Sequence, residues 1–404
     1  MSATPGRIVI VGGGVAGVST VAALRAGGYD GTLTLVDAGE FPYDRPPLSK
    51  DYLAGKRDFE QIALKPAGWY ETQSVRLIRR AQVTALLPGQ GLVQLADGTT
   101  LPADRVVLGT GGTAARLPIP GAAEVGVQVL RTVEDAGRLR DALPAASRAL
   151  VIGAGLIGAE VASTLAGLGC AVVLADPAAP PLAAAVGPEL AAWLHDQHRT
   201  RGIDTVAAGI ASLRRTSRGI EALLGGEKEA RVVDLVVLGV GMVAATPLAE
   251  AAGLEVDRGI LVDSAQRTSN PAVLAVGDVT RSRADGTQAG HWDAARRDGE
   301  RAAATLLGRP APVASAPWFW SDRHGRHIET VGRMAAADRT VVRGRLGDEP
   351  FAVFGFRGTT LVGAVSVDDT FAVRTARRLL DGAIPVDADL LADPSTNLRR
   401  LLRG

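Results

Sequence analysis

Short apolar runs recur along the chain, each closed by glycine or by an acidic residue. Arg7-Ile-Val-Ile-Val11 is followed by glycines, then by spaced apolar positions from Val15 to Arg25, then by Thr32-Leu-Thr-Leu-Val36 ending in Asp37. Unbroken runs of this length fit buried parallel strands, and the spaced positions fit a helix, so the segment reads strand, helix, strand. The same order returns in Arg148-Ala-Leu-Val-Ile152, a helix through Glu160 and Leu168, and Ala171-Val-Val-Leu-Ala175 ending in Asp176. Two copies of one unit, about 140 residues apart, are a repeat and not an accident of composition. Between them, Leu92 to Leu95 and Thr100 to Leu101 flank Asp97-Gly98 as a small antiparallel insertion. Arg105 to Leu108, Val232 to Gly239, Gly259 to Val262 and Ala272 to Val276 are further predicted strands, and Ala289 to Leu307 is a predicted helix.

Two prolines in Gly308-Arg-Pro-Ala-Pro312 mark a boundary. Beyond it, Ile328 to Val331, Thr340 to Val342, Phe351 to Phe356 and Thr360 to Val367 predict an antiparallel sheet, followed by a helix from Phe371 to Leu380 and a partly looped tail from Pro385. The expected architecture is α/β: two Rossmann-like dinucleotide-binding domains and a C-terminal α+β domain. The boundaries expected are 1–115 with 240–308 for the first domain, 116–239 for the second and 309–404 for the third.

Both repeats carry GxGxxG between strand and helix. In Gly12-Gly-Gly14-Val-Ala-Gly17, the first glycine permits the tight turn, Gly14 leaves room for a pyrophosphate, and Gly17 lets helix and strand approach. Asp37 stands where a carboxylate can accept from a ribose 2′-OH. Gly153-Ala-Gly155-Leu-Ile-Gly158 repeats the pattern with Asp176. Two such turns imply one tightly held dinucleotide and one exchanging nicotinamide. A carboxylate at Asp176 repels a 2′-phosphate, and Asp176-Pro177-Ala178-Ala179 offers no arginine, so NADH is expected over NADPH.

Composition narrows the chemistry. Among 404 residues there are 49 glycines, partly explained by the two turns, and a single cysteine, Cys170. One cysteine excludes an internal disulfide, a CxxC redox pair and a multi-cysteine cluster on this chain. Cys170 reads as a buried small residue. His195 and His198, three apart in a polar helix, read as solvated. A formal charge of +1 offers no support for a nucleic-acid partner. No signal peptide and no membrane-length apolar run are read, so a cytoplasmic protein is expected, monomeric or weakly dimeric.

On these residues the chain resembles the FAD-dependent NAD(P)H:ferredoxin reductases of bacterial cytochrome P450 and ring-dioxygenase systems, the putidaredoxin and rhodocoxin reductase group. The likeness runs from Arg7 to about Leu402. Besides the two fingerprints it rests on Pro42-Tyr-Asp-Arg-Pro-Pro-Leu-Ser-Lys50, Leu108-Gly-Thr-Gly-Gly112, Leu130-Arg-Thr132, Gly239-Val-Gly241, Ala275-Val-Gly-Asp-Val279, His291-Trp292 and Pro317-Trp-Phe-Trp-Ser-Asp322. The resemblance implies a glutathione-reductase-like fold with tightly bound FAD and an inserted NAD domain. It implies that NADH gives hydride to FAD, and that electrons pass singly to a [2Fe-2S] or [3Fe-4S] ferredoxin feeding a P450 or oxygenase. It places Arg45 and Lys50 by the flavin, Trp320 along the isoalloxazine, Glu160 near the nicotinamide–flavin contact and Asp278 by the ribityl–pyrophosphate segment. The expected catalytic residues are Lys50, Glu160 and Trp320. The FAD set is Gly12, Gly14, Val15, Ala16, Gly17, Asp37, Arg45, Lys50, Val83, Thr110, Gly111, Arg131, Gly277, Asp278, His291, Trp292 and Trp320. The NAD set is Gly153, Gly155, Leu156, Ile157, Gly158, Glu160, Asp176 and Gly241. No metal is expected.

The residues leave alternatives open. Lys50, one of four lysines, fits either a cation beside the flavin or a surface position after a proline turn. Arg131 fits a helix start or a cofactor contact. Trp318 fits core or interface. The chain departs from the resembled pattern at Gly290, where a glutamate is usual, at Gly112, where alanine is common, and in the alanine–proline stretch Ala178 to Ala185, which lacks a basic residue. A flavoprotein with a different acceptor, such as a small molecule or oxygen, and a nucleotide-responsive flavoprotein are the competing readings. For ferredoxin recognition, Arg323, Arg326, Arg374, Arg377 and Arg378 are the candidate basic surface, each fitting a merely solvated arginine face equally well.

Overall fold

Five parallel strands carry the first nucleotide unit, in the order Val273–Ala275, Arg105–Leu108, Arg7–Val11, Thr32–Val36, Val75–Ile78. Ile8, Ile10, Leu33 and Leu35 are fully buried on the helix face of this sheet, and Val9, Val11 and Val36 are buried on its other face against the neighbouring insertion, which is why these strands read as unbroken apolar runs. The computed structural model describes residues 5–178, 180–288 and 290–403. Ala179 and Ala289, which fall in segments read above, and the first four residues lie outside them. Its contacts form two units: Met1–Asp44 with Phe59–Thr113 and Met242–Val313, and Arg45–Asp58 with Ala114–Gly241 and Ala314–Gly404.

In the first unit the Val15–Ala26 helix packs along the Trp292–Leu306 helix. Their closeness depends on Gly299, where a β-carbon would lie 2.6 Å from the Ala16 carbonyl oxygen and 2.8 Å from the Thr20 nitrogen. The antiparallel insertion expected near Asp97-Gly98 is the sheet Val83–Leu87, Leu92–Leu95, Thr100–Pro102.

The second unit contains the other parallel sheet, ordered Asp204–Val206, Ala171–Ala175, Arg148–Ile152, Leu235–Leu238, Gln128–Val129. The single strand expected over Val232 to Gly239 is two, Arg231–Val233 and Leu235–Leu238, in different sheets. The break is Asp234. Its carboxylate takes the Arg148 guanidinium at 2.7 Å and the Ser147 and Arg148 backbone N–H groups, so it cannot continue an apolar run. The same unit holds a five-stranded antiparallel sheet, Trp318–Arg323, Arg326–Gly332, Thr360–Val367, Asp348–Arg357, Arg339–Arg345. On one face the Thr370–Asp381 helix buries Ala372, Val373, Ala376 and Leu379 against Phe354 and Phe356. On the other, Leu190 and Leu194 of the Pro188–Arg199 helix meet Phe351, Val365 and Val367. Each large side chain so buried contributes about 1.5–3 kcal/mol. Among the described residues no helix is long and apolar enough to cross a membrane.

Candidate active site

At the carboxyl end of Arg7–Val11 the chain turns at Gly12, whose φ is +107° and whose β-carbon would lie 2.2 Å from the Gly109 oxygen. A β-carbon at Gly17 would lie 2.0 Å from the Gly12 oxygen, whereas one at Gly14 would meet open space. The helix from Val15 has no acidic residue in its first turn, leaving its N-terminal N–H groups and positive end available to an anion. Asp37 is held by the fold against this turn: a β-carbon at Gly13 would be 2.4 Å from its Oδ2.

Other expected residues gather here. Gly277, at φ +76°, has room for no β-carbon beyond the Ala16 methyl, 2.8 Å from that position, and so brings Asp278 to the start of the same helix. The Gly277 N–H donates to buried Asp298, 3.1 Å away, which also accepts from Gln266 and Arg301. Burial pushes the Asp298 carboxyl up to about 6 against the opposing Arg301 charge. Gly109 lies against Gly12, which places Thr110 and Gly111 beside the turn; Thr110 donates to the Ala245 oxygen at 2.9 Å. Val83 opens the strand that follows Ala81, whose N–H donates to the Asp37 carbonyl. His291 caps the helix beginning at Trp292, accepting from Ala294 N–H, and Trp292 donates to Asp44 at 2.8 Å. Gly112 has a steric reason for departing from alanine. A β-carbon there would lie 2.6 Å from the Val243 oxygen and about as close to the Met242 thioether. Gly290 adopts φ +62°, the left-handed region that favours glycine over glutamate.

Arg45, Lys50 and Arg131 belong to the second unit. There the second turn repeats the first. Gly153 has φ +97°, a β-carbon at Gly158 would lie 1.9 Å from its oxygen, and Gly155 faces open space. Leu156 and exposed Ile157 begin the Leu156–Gly167 helix, and Gly241 turns at φ +104°. Asp176 accepts from Ala154 N–H and Ala178 N–H, each at 2.7 Å. Arg131 precedes a capping box built by Thr132 and Asp135, and its own N–H donates to Asp135 at 2.9 Å.

One helical turn inside the second fingerprint lies a buried polar cluster. Glu160, 3% exposed, accepts from Ser49 Oγ at 2.5 Å, Ser321 Oγ at 2.8 Å and Asp322 N–H at 3.2 Å, with Lys50 Nζ 3.5 Å away. Burial raises its pKa, and Lys50 and the two hydroxyls oppose that. Lys50 donates to Asp322 Oδ2 at 2.7 Å, and its ammonium lies over the Trp320 ring, which stacks on Trp318. Although burial acts against it, hydrogen bonds from His327 and Lys50 hold Asp322 at about 2. The sequence does not single out Ser49, Ser321, Asp322, His327 and Glu329 as chemistry-bearing, although Ser49, Ser321 and Asp322 stand inside the motifs quoted above.

Three sequence readings need correction. His198 is not solvated: it is 1% exposed, and its Nδ1 is 2.8 Å from Nε2 of His324; His195 is half-buried. Burial lowers His198 to about 2 and His324 to about 4, so both are neutral rings. Arg323 is not a surface arginine; it is buried, its Nε makes no hydrogen bond, and burial lowers the guanidinium to about 10 against the pull of Glu160. Cys170 is half-buried rather than buried, its thiol donating to the Ala146 oxygen at 3.3 Å and pushed up by burial.

Two helices that begin at glycine turns, with open space at Gly14 and Gly155, fit two dinucleotide pyrophosphates. With the Lys50–Glu160 cluster beside the second, they define the class: an oxidoreductase working with two nucleotides. The chain belongs to the pyridine nucleotide-disulphide oxidoreductase family, whose model matches residues 6–299, and residues 318–402 match the C-terminal domain of reductases. The cofactors of this family are FAD and NAD(P). The chain is 36% identical to putidaredoxin reductase of Pseudomonas putida over 98% of its own length and 96% of that protein. It is 37% identical, over the whole of both chains, to the ferredoxin–NAD(+) reductase component of the anthranilate 1,2-dioxygenase system of Burkholderia cepacia. A solved covalent putidaredoxin reductase–putidaredoxin complex matches with a TM-score of 0.91 and 34% identity, covering 98% of each chain.

Proposed function

We propose that this chain is the NADH-dependent reductase component of an oxygenase system, delivering electrons to an iron–sulfur ferredoxin of the [2Fe-2S] or [3Fe-4S] type that serves a P450 or a dioxygenase. The observation that carries this reading is the pairing of two open glycine turns with a cluster that joins buried Glu160 to Lys50 and Asp322, in a chain whose one cysteine leaves no dithiol to receive electrons. A bound FAD would supply the chemistry that converts two-electron hydride transfer into single-electron delivery. The first turn, with Asp37, Thr110, Gly111, Asp278 and Trp292, holds its dinucleotide. Lys50 places a cation where negative charge develops, Trp320 borders the ring, and Glu160 orients Lys50 and the nicotinamide. In the second unit Gly153, Gly155, Gly158, Asp176 and Gly241 hold NADH. Asp176 keeps lone pairs beyond its two backbone bonds for a ribose hydroxyl, and residues 177–185 contain no lysine or arginine for a 2′-phosphate.

The exposure of Arg374 and Arg378, beside Arg377 lying over Trp318 at 5.6 Å, supports a ferredoxin face there, whereas Arg326 is engaged by Glu349. Anaerobic stopped-flow reduction by NADH and NADPH, followed by mixing with a panel of ferredoxins, tests the reading. NADH is expected to reduce the enzyme at least about tenfold faster at equal concentration, and Asp176→Ser to narrow that ratio by about tenfold. Equal use of both nucleotides by the wild type, or no reduction of any ferredoxin, would count against it.

A further inference from the structure

Beyond Asp322 the polar cluster continues into an imidazole that the reading above does not use. Antiparallel register sets Asp322 opposite His327 and Trp320 opposite Glu329, placing Trp320, Asp322, His327 and Glu329 on one face of the sheet. His327 Nδ1 is 2.5 Å from Asp322 Oδ1, and Nε2 is 2.9 Å from Glu329 Oε1. Each ring nitrogen faces a carboxylate, so each donates a proton and the ring is an imidazolium. The chain of contacts extends at both ends. Asp322 Oδ2 takes Lys50 Nζ at 2.7 Å, and Glu329 Oε2 takes Trp318 Nε1 at 3.3 Å. Without the imidazolium, two carboxylates would face each other across one place, one of them Glu329, only 4% exposed.

We propose that His327 is a positioning residue for the reduction step: its imidazolium clamps Asp322 to Glu329, and Asp322 in turn fixes the Lys50 ammonium beside Glu160. The proposal rests on the reading of Lys50 as flavin-facing. The charged groups around the ring are Asp322 on the Trp318–Arg323 strand, Glu329 on its own strand, and Asp368 after the Thr360–Val367 strand, which takes the His327 backbone N–H at 2.8 Å. Lys50 lies behind Asp322, and Arg377 of the Thr370–Asp381 helix lies over Trp318. Lys50, Glu160, Asp322, His327 and Glu329 together hold two cations against three carboxylates. Loss of the imidazolium charge makes the cluster more negative and, because a neutral ring keeps a single N–H, leaves it bonded to only one of the two carboxylates, so the clamp between Asp322 and Glu329 is broken.

The hydrogen bonds that His327 donates to Asp322 and Glu329 hold its pKa up at about 9, with burial opposing them. The clamp is therefore complete through neutral pH and opens as pH rises through 9. The test uses the holoenzyme and the variants His327→Gln, His327→Lys and Lys50→Met. Anaerobic reduction at saturating NADH is followed from pH 6.5 to 10, with the flavin midpoint potential measured in parallel. Wild-type reduction should slow above pH 9. His327→Gln should be about five- to tenfold slower at pH 7.5, with the NADH dissociation constant unchanged, no inflection near pH 9 and a more negative potential. His327→Lys, which keeps a cation between the carboxylates, should recover most of the rate. A His327→Gln enzyme with the wild-type rate, potential and pH inflection overturns the proposal. If Lys50→Met is slowed and His327→Gln is not, only the positioning role fails; a Lys50→Met enzyme that reduces normally overturns the flavin-facing reading as well. Should His327→Gln not fold, the wild-type imidazole C–H resonance decides: titration near 9 supports the clamp, and titration at or below 6.5 refutes it.

Discussion

At Gly17 a β-carbon would lie 2.0 Å from the carbonyl oxygen of Gly12, and at Gly158 it would lie 1.9 Å from that of Gly153. The two nucleotide turns share this crossing, the positive φ of their first glycine and the open space at their third residue after the strand. They differ in what flanks the helix. The first helix is closed on one side by backbone, with Gly299 against Ala16, and Gly277 presses on the Ala16 methyl. The second is met by functional groups, with Ser49, Lys50, Ser321 and Asp322 converging on Glu160. The common geometry determines where a pyrophosphate can lie, and the flank determines whether the helix only holds a nucleotide or also arranges charges for reaction.

The largest expected effect breaks the two turns separately. Gly17→Ala and Gly158→Ala each drive a methyl into a carbonyl, an overpacking of about 1–3 kcal/mol or more. Gly17→Ala is expected to purify without flavin absorbance. Gly158→Ala is expected to keep its flavin while NADH reduction falls by about a hundredfold. Loss of flavin from both variants would mean that the turns do not divide the cofactors as proposed.

A smaller contrast concerns the residue after the first glycine. Gly13 has no space for a methyl because Asp37 Oδ2 is 2.4 Å from that position, whereas the second turn carries Ala154. Flavin affinity, measured by apoprotein titration, should drop about tenfold in Gly13→Ala. Ala154→Gly should alter NADH affinity by no more than about a few-fold, the modest range of a glycine–alanine exchange. Comparable losses in both would remove the asymmetry.

The smallest contrast is in acid. His198 and His324 have folded pKa values below the ordinary 6.5, so the stability they confer as neutral rings is present above 6.5 and declines as pH falls towards 4. Asp298, in the first unit, has a folded value near 6, above the ordinary 3.8, so its contribution moves the other way and improves as pH falls through 6. Hydrogen exchange at pH 6.5 and pH 4.5, corrected for intrinsic rates, should show protection falling around His198 and holding or rising around Asp298. Protection that falls equally in both units would contradict this pairing of signs.

Both glycine turns, both strand–helix–strand units and four strands of the terminal antiparallel sheet were legible in the residues, because buried parallel strands demand unbroken apolar runs and GxGxxG has a steric cause; the fifth strand, Trp318–Arg323, was not. His198 was legible but misread: with Leu190, Ala191 and Leu194 it forms one buried stripe of the helix, and its partner, His324, is far away in sequence. Arg323 follows the two-residue alternation that also buries Ser321, but a charged residue beside a motif invited a surface reading. The clamp on Asp322 was not legible. It depends on the register that sets Asp322 opposite His327, and register is decided by the turn between the strands. The division at Asp234 was likewise hidden, because an ion pair across strands replaces an apolar contact there.

The donation of Ser321 and Asp322 to Glu160, and of the His324 N–H to Ser163 Oγ at 2.8 Å, has a consequence for recombination. A chimera that exchanges only the C-terminal sheet with that of a relative would separate a strand from the helix with which it shares its polar contacts, leaving Glu160 to whatever the donor supplies. Modular exchange in this scaffold should therefore carry the Leu156–Gly167 helix and the Trp318–Arg323 strand together, as one heritable block drawn from two distant stretches of the gene.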